Sequence, residues 1–388
     1  MNTLNLRRTL GLLLLAGCVH GATAQAAPIR PASDDEVIET LPAVVGDRAE
    51  ERRLRRELAA RPLDAQLATT VARRRLQQAR DSGDPRFAGQ ALAALQAWPD
   101  AQRAPANVLL MQANVEQFLH AFDPAAAKLE LLLKREPRDA QAWLTLATIR
   151  RVQGRYADSD AACGAMKQLG ADLYATACQA ENDGLRGSFD SARTTLKTLL
   201  GTPRLRADTR GWLLTTLAEL EERAGQPADA ETAYQAALAA QRDGYTLISY
   251  ADFLLALGRD ADMLAQLRGE PRTDAVLLRL AIAGTRSGAA SGAGDAHELR
   301  ERIVQANQRP EARLLHAREQ AMFALWVDKA PQRALALAQA NVKLQREAID
   351  LWVLAQAARA TAQQGALREA AKLIDGIGLR DARTAALL

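Results

Sequence analysis

Apolar residues recur at helical spacing along most of the chain. In residues 137–166, PRDAQAWLTLATIRRVQGRYADSDAACGAM, Trp143, Leu146 and Ala147 fall at i, i+3 and i+4, the spacing of one buried helix face. Gly154 interrupts this face and Tyr156 opens a second one. The stretch therefore predicts two short helices joined by a tight turn. The turn glycine recurs at Gly187, Gly225 and Gly258, at intervals of 33, 38 and 33 residues from Gly154 onward. A glycine between two helices supplies a left-handed residue without a Cβ clash.

The same rhythm extends in both directions. Residues 63–97 form a divergent pair turning at Asp81-Ser82-Gly83-Asp84-Pro85, and residues 106–137 a more regular one in which Ala125 and Leu129 pack. Ala230 and Tyr234 repeat that pairing. Residues 274–286 read as a clear first helix, and the glycine-rich run 287–295 as an enlarged, flexible turn. Two further pairs follow, turning at Asp328-Lys329-Ala330-Pro331 and at Gly365, and residues 379–388 predict a short cap. Ahead of the repeats, Ser33 and Glu36 have capping-box spacing. Residues 47–61 form a charged helix whose only strong apolar pair is Leu54 and Leu58.

The Trp143-x2-Leu146-Ala147 run and the closing Pro137 of the preceding unit resemble the tetratricopeptide repeat, W-x2-L-G-x2-Y…A-x3-F…P. Arg150 stands in place of the consensus Tyr, Ser159 of the Ala, and Cys163 of the aromatic. The resemblance covers residues 62–388. It implies an all-α, right-handed solenoid of about nine helix pairs, whose concave groove is lined by first helices. It further implies binding of a protein or peptide partner, with no cofactor.

Composition adds a compartment. Residues 1–26 carry Arg7-Arg8, a short apolar run and Ala24-Gln25-Ala26, the pattern of an export signal. Cleavage after Ala26 would release a periplasmic protein. Alternatively, Leu15-Ala16-Gly17-Cys18 resembles a lipoprotein lipobox, with Cys18 acylated and the chain anchored to a membrane. The organisation expected is thus a signal at 1–26, an extended segment and charged capping helix at 27–61, and the solenoid. The net charge of +4 falls to 4 − 2 = +2 without Arg7 and Arg8. Acidic residues are mixed through the chain, which argues against a nucleic-acid partner.

Candidate chemistry is sparse. His120, His297 and His316 fall in different repeats and have no second ligand at i+3 or i+4, so no metal site is expected. Hydrolase, dinucleotide and phosphate-loop motifs are absent, and no catalytic residue is expected. An exported chain without Cys18 keeps two cysteines. Cys163 and Cys178 fall on helices that are neighbours in such a solenoid, so a disulfide with a Cα separation of about 4.4–6.8 Å is expected. Aligning the units on their glycines places Tyr174, Trp212 and Tyr245 at one position, and Glu181, Glu219 and Asp252 seven residues later. Seven residues span two turns and share a face. These six residues are the candidate partner-binding groove, which His316, Phe323, Trp326 and Trp352 could extend. If instead the aromatics pack between first helices, the acids simply sit exposed. A subunit handling polysaccharide, or an envelope enzyme built on an α-superhelix, are the alternative functions.

Overall fold

The computed structural model describes Ser33 and residues 48–307 and 316–388. The export signal, Cys18 and Glu36 of the capping-box spacing lie outside these residues. The helical unit begins with α1 (Arg48–Ala60), whose Leu54 is buried while Glu50 and Glu51 pair with Arg74 and Arg75 of the next helix.

Among the described residues nine helix pairs follow, as the resemblance implied. They are α2 (Ala65–Ser82) with α3 (Pro85–Ala94), α4 (Ala106–Phe118) with α5 (Phe122–Arg135), and α6 (Ala140–Val152) with α7 (Tyr156–Gln168). Next come α8 (Asp172–Leu185) with α9 (Phe189–Leu200), α10 (Ala207–Arg223) with α11 (Pro227–Ala240), and α12 (Gly244–Ala256) with α13 (Asp260–Leu267). The last three are α14 (Asp274–Ser287) with α15 (Ala290–Asn307), α16 (Ala317–Trp326) with α17 (Pro331–Asn341), and α18 (Ala348–Ala360) with α19 (Gln364–Ile377). A single turn, α20 (Ala382–Ala385), closes the chain, with Asp381 as its N-cap. Alanines fill the interfaces: Ala125, Ala147 and Ala230 are fully buried, as are Leu129 and Tyr234 beside them. Among the described residues no strand occurs, and no helix is long and apolar enough to cross a membrane.

Each pair turns on one residue of positive φ: Gly83, His120, Gly154, Gly187, Gly225, Gly258, Gly288, Lys329 and Ala362 in order. At Gly154 the next amide, that of Arg155, donates 2.8 Å to the Arg150 carbonyl and so satisfies an orphan of the helix end. At the same place in the second pair, the Ala121 amide donates to Glu116, with His120 as the left-handed residue.

Two expectations are corrected. The run 287–295 is not an enlarged turn: Gly288 caps α14 and α15 starts at Ala290. Of its glycines, Gly292 serves contact between helices, since a Cβ on Gly284 would stand 2.2 Å from the Cα of Gly292. Likewise Gly365 lies inside α19, and Ala362 takes the turn.

The array coils back on itself. The turn of the first pair meets Thr273, which caps the first helix of the seventh: a Cβ on Gly83 would stand 2.7 Å from the Thr273 Cβ. His120 of the second pair lies beside His316, just before the eighth. The Arg346 amide, before the ninth, donates 2.6 Å to the Val152 carbonyl of the third. The Arg380 amide, before α20, donates 2.8 Å to the Leu185 carbonyl of the fourth. The offset is six pairs each time, so one superhelical turn takes six pairs and the next turn docks directly on it.

Candidate functional site

That docking turns the concave face into a partly open chamber of about 460 Å³. One side is made by the C-terminal ends of α6, α8 and α10, and the other by the N-terminal ends of α12, α14, α16 and α18. Negative helix ends thus face positive ones, which is electrostatically favourable.

The chamber wall is charged, and most of its charges are paired between first helices. Arg151 of α6 lies 2.9 Å from Glu181 of α8. Arg279 of α14 grips Asp252 of α12 through Nε and Nη2, at 2.9 and 2.5 Å. Arg383 crosses between turns to pair with Glu222, which also accepts from the Tyr234 hydroxyl at 3.0 Å. Glu219 has no arginine in contact. Its Oε1 accepts from the Tyr245 hydroxyl at 2.7 Å, and Ser249 lies at 3.5 Å. Burial pushes Glu219 up to about 7, against the opposing pull of Arg223 and the Tyr245 hydroxyl. Burial of the hydroxyl, with Glu219 beside it, also holds the Tyr245 phenol well above its usual range, although the residue as a whole is 62% exposed and lines the chamber.

Arg223 and Tyr156 stand apart from this pairing, and one oxygen each of Glu181 and Glu319 is also buried without a partner. Arg223 is only 5% exposed, and its Nε and Nη2 have no hydrogen-bond partner. The Tyr156 hydroxyl is likewise unpartnered on a residue 4% exposed, and burial raises that phenol to about 12. Both line the chamber.

Of the six residues aligned from the sequence, the chamber brings together Glu181, Glu219, Tyr245 and Asp252. Tyr174 and Trp212 lie outside its lining. Their rings pack on each other at 5.9 Å, with Tyr174 partly exposed and Trp212 half-buried against the core. The possible extension is not a surface either: Phe323 and Trp352 are buried, and Trp352 packs on Trp326 at 5.3 Å. Of the histidines, His120 and His316 come within 6.5 Å between ring centroids, and burial holds His120 below its usual range. His297 is exposed on α15. Among the described residues no group of His, Cys, Asp and Glu is placed to hold a metal. Cys163 and Cys178 form the expected disulfide between α7 and α8, with a Cα separation of 5.8 Å. The arginines escaped the sequence reading. One signal was present for Arg223, which follows the aligned Glu219 by four residues and so continues its face.

No protein-family model matches the sequence, and no curated protein is similar to it. Solved structures are similar. A Rap protein, in its complex with competence and sporulation factor, matches over 88% of this chain and 93% of that one, at 12% identity and a TM-score of 0.50. The TPR domain of P58(IPK) aligns over 84% and 96%, at 13% identity and a TM-score of 0.27. With the nine stacked helix pairs, the first likeness makes the fold a tetratricopeptide-like α-solenoid.

Proposed function

We propose that this chain is an exported, non-catalytic scaffold that holds a short segment of a protein or peptide partner in its central chamber. One observation carries the reading: a chamber of ligand-pocket size, walled by fixed charges on successive first helices. The volume suits a few residues rather than the long extended peptide that an open groove would take. The Rap protein of similar fold is complexed with a separate factor. The signal-like N-terminus and the disulfide support placement in the cell envelope, where the chain would be periplasmic or anchored through Cys18. A sugar-handling role finds less support, because flat aromatic platforms favour sugars and the chamber's polar wall is charged. Acid–base chemistry at Glu219 is a second reading, favoured by its near-neutral carboxyl within a cavity.

A photo-crosslinking residue at position 245, compared with one at position 174, separates the chamber from the outer surface in intact cells. Adducts identified by mass spectrometry should form from 245 and not from 174. Adducts from 174 alone would refute the chamber as the binding site.

A further inference from the structure

Several arginines of this protein grip a carboxylate by the Nε–Nη2 edge, while Arg259 holds Glu231 through Nη1 and Nη2. Arg193 holds Glu221 through Nε and Nη2 at 2.6 and 2.7 Å, and Arg279 holds Asp252 through the same two atoms. Arg318 does so with Asp350 at 2.5 and 3.0 Å, and Arg383 with Asp381 at 3.2 and 2.8 Å. This two-pronged arrangement is the geometry in which arginine binds carboxylates most strongly.

Arg223 keeps the same edge, Nε and Nη2, buried and unpartnered. The two acids of its own helix on which it acts are committed elsewhere. Glu222 is taken by Arg383 and Tyr234, and Glu219 by Tyr245. A buried guanidinium without a partner costs stability, as does a buried phenol with no bond. Arg223 and Tyr156 line the same chamber, and Arg223 is the leading charge acting on the Tyr156 phenol.

We infer that Arg223, with the Tyr156 hydroxyl, is the receptor for a carboxylate of the segment held in the chamber. The fork of Arg223 receives the two carboxylate oxygens and Tyr156 donates to one of them. This rests on the chamber being the binding site. The carboxylate comes either from the free C-terminus of the segment or from an acidic side chain.

Thermal unfolding of the full chain tests the inference with three peptides: acetyl-trialanine as the free acid, acetyl-Ala-Asp-Ala-amide, and acetyl-tetraalanine-amide. At least one carboxylate peptide should raise the unfolding temperature, and the neutral amide should not. A response to the first identifies a C-terminus, and to the second an acidic side chain. Arg223→Gln should abolish the response while unfolding no lower than wild type without peptide. Arg223→Lys keeps the charge but loses the fork, and should weaken the response at least tenfold in peptide concentration. The inference is overturned if neither carboxylate peptide acts, if Arg223→Gln or Arg223→Lys responds like wild type, or if inorganic phosphate acts as strongly as the peptides. It also fails if Arg223→Gln alone unfolds well below wild type, which would make Arg223 a structural residue. Adducts from position 245 that persist alongside any of these failures would leave the chamber reading standing.

Discussion

Glu219 sits in a place where two effects compete, and burial wins over the attraction of Arg223 and the Tyr245 hydroxyl. The carboxyl titrates near 7 in the folded chain and near 4.5 in the unfolded one. Between those values the unfolded chain has lost a proton that the folded chain keeps. Stability from this group is therefore complete below about 4.5 and is lost as pH rises through about 7. Glu219→Gln removes the dependence. Urea unfolding across this range should show wild type losing roughly 2 kcal/mol more than Glu219→Gln, allowing for water in the chamber. Parallel curves for the two proteins would rule out the buried carboxyl. At this scale the sequence told much about the acids and less about the aromatics. A seven-residue interval places Glu181, Glu219 and Asp252 on one helix face, and all three reach the chamber. It does not say which neighbour an aromatic at a helix start will meet, and Tyr174 and Trp212 meet each other. Arg223 was hidden for a different reason. Its interest lies in having no partner, and partners are decided by tertiary structure.

At the scale of helices and turns, most of the architecture was written in the spacing of glycines and apolar residues. Gly154, Gly187, Gly225 and Gly258 all take positive φ, and the cysteines of α7 and α8 meet as neighbouring helices should. The failures share one cause. Glycine marks a left-handed turn, a flexible loop or a close approach of backbones, and composition alone does not separate these. In 287–295 Gly288 shows the first use and Gly292 the third, and at Ala362 a turn forms with no glycine at all. The close approach of α14 and α15 makes a sharp expectation. Gly284→Ala should cost at least about 2 kcal/mol, because its Cβ meets backbone that must move. Gly294→Ala, with no atom within 4 Å, should be stabilising by roughly 0.5–1 kcal/mol, the helix propensity gain. Equal denaturation midpoints for the two variants would contradict the glycine crossing.

At the scale of the whole helical unit, the decisive feature is closure after six pairs. It converts an open concave groove into a chamber and brings Arg383 to Glu222, residues 161 apart in sequence. No repeat motif encodes this. The small rotation between successive pairs accumulates along the array, and only contacts between turns fix its sum. Those contacts fall on the turn residues, where a side chain would often be in the way: a Cβ on Gly187 would stand 3.0 Å from Arg380. The same geometry offers a direct test. A Cβ on Gly154 would lie 3.4 Å from the Cβ of Arg346, close to the mean of about 3.8 Å found in disulfides. The double variant Gly154→Cys, Arg346→Cys, oxidised in dilute solution and mapped by mass spectrometry, should yield a 154–346 cross-linked peptide beside the native 163–178 disulfide. Full alkylation of both new thiols in the folded, oxidised protein would mean that the turns do not meet and that no such chamber exists.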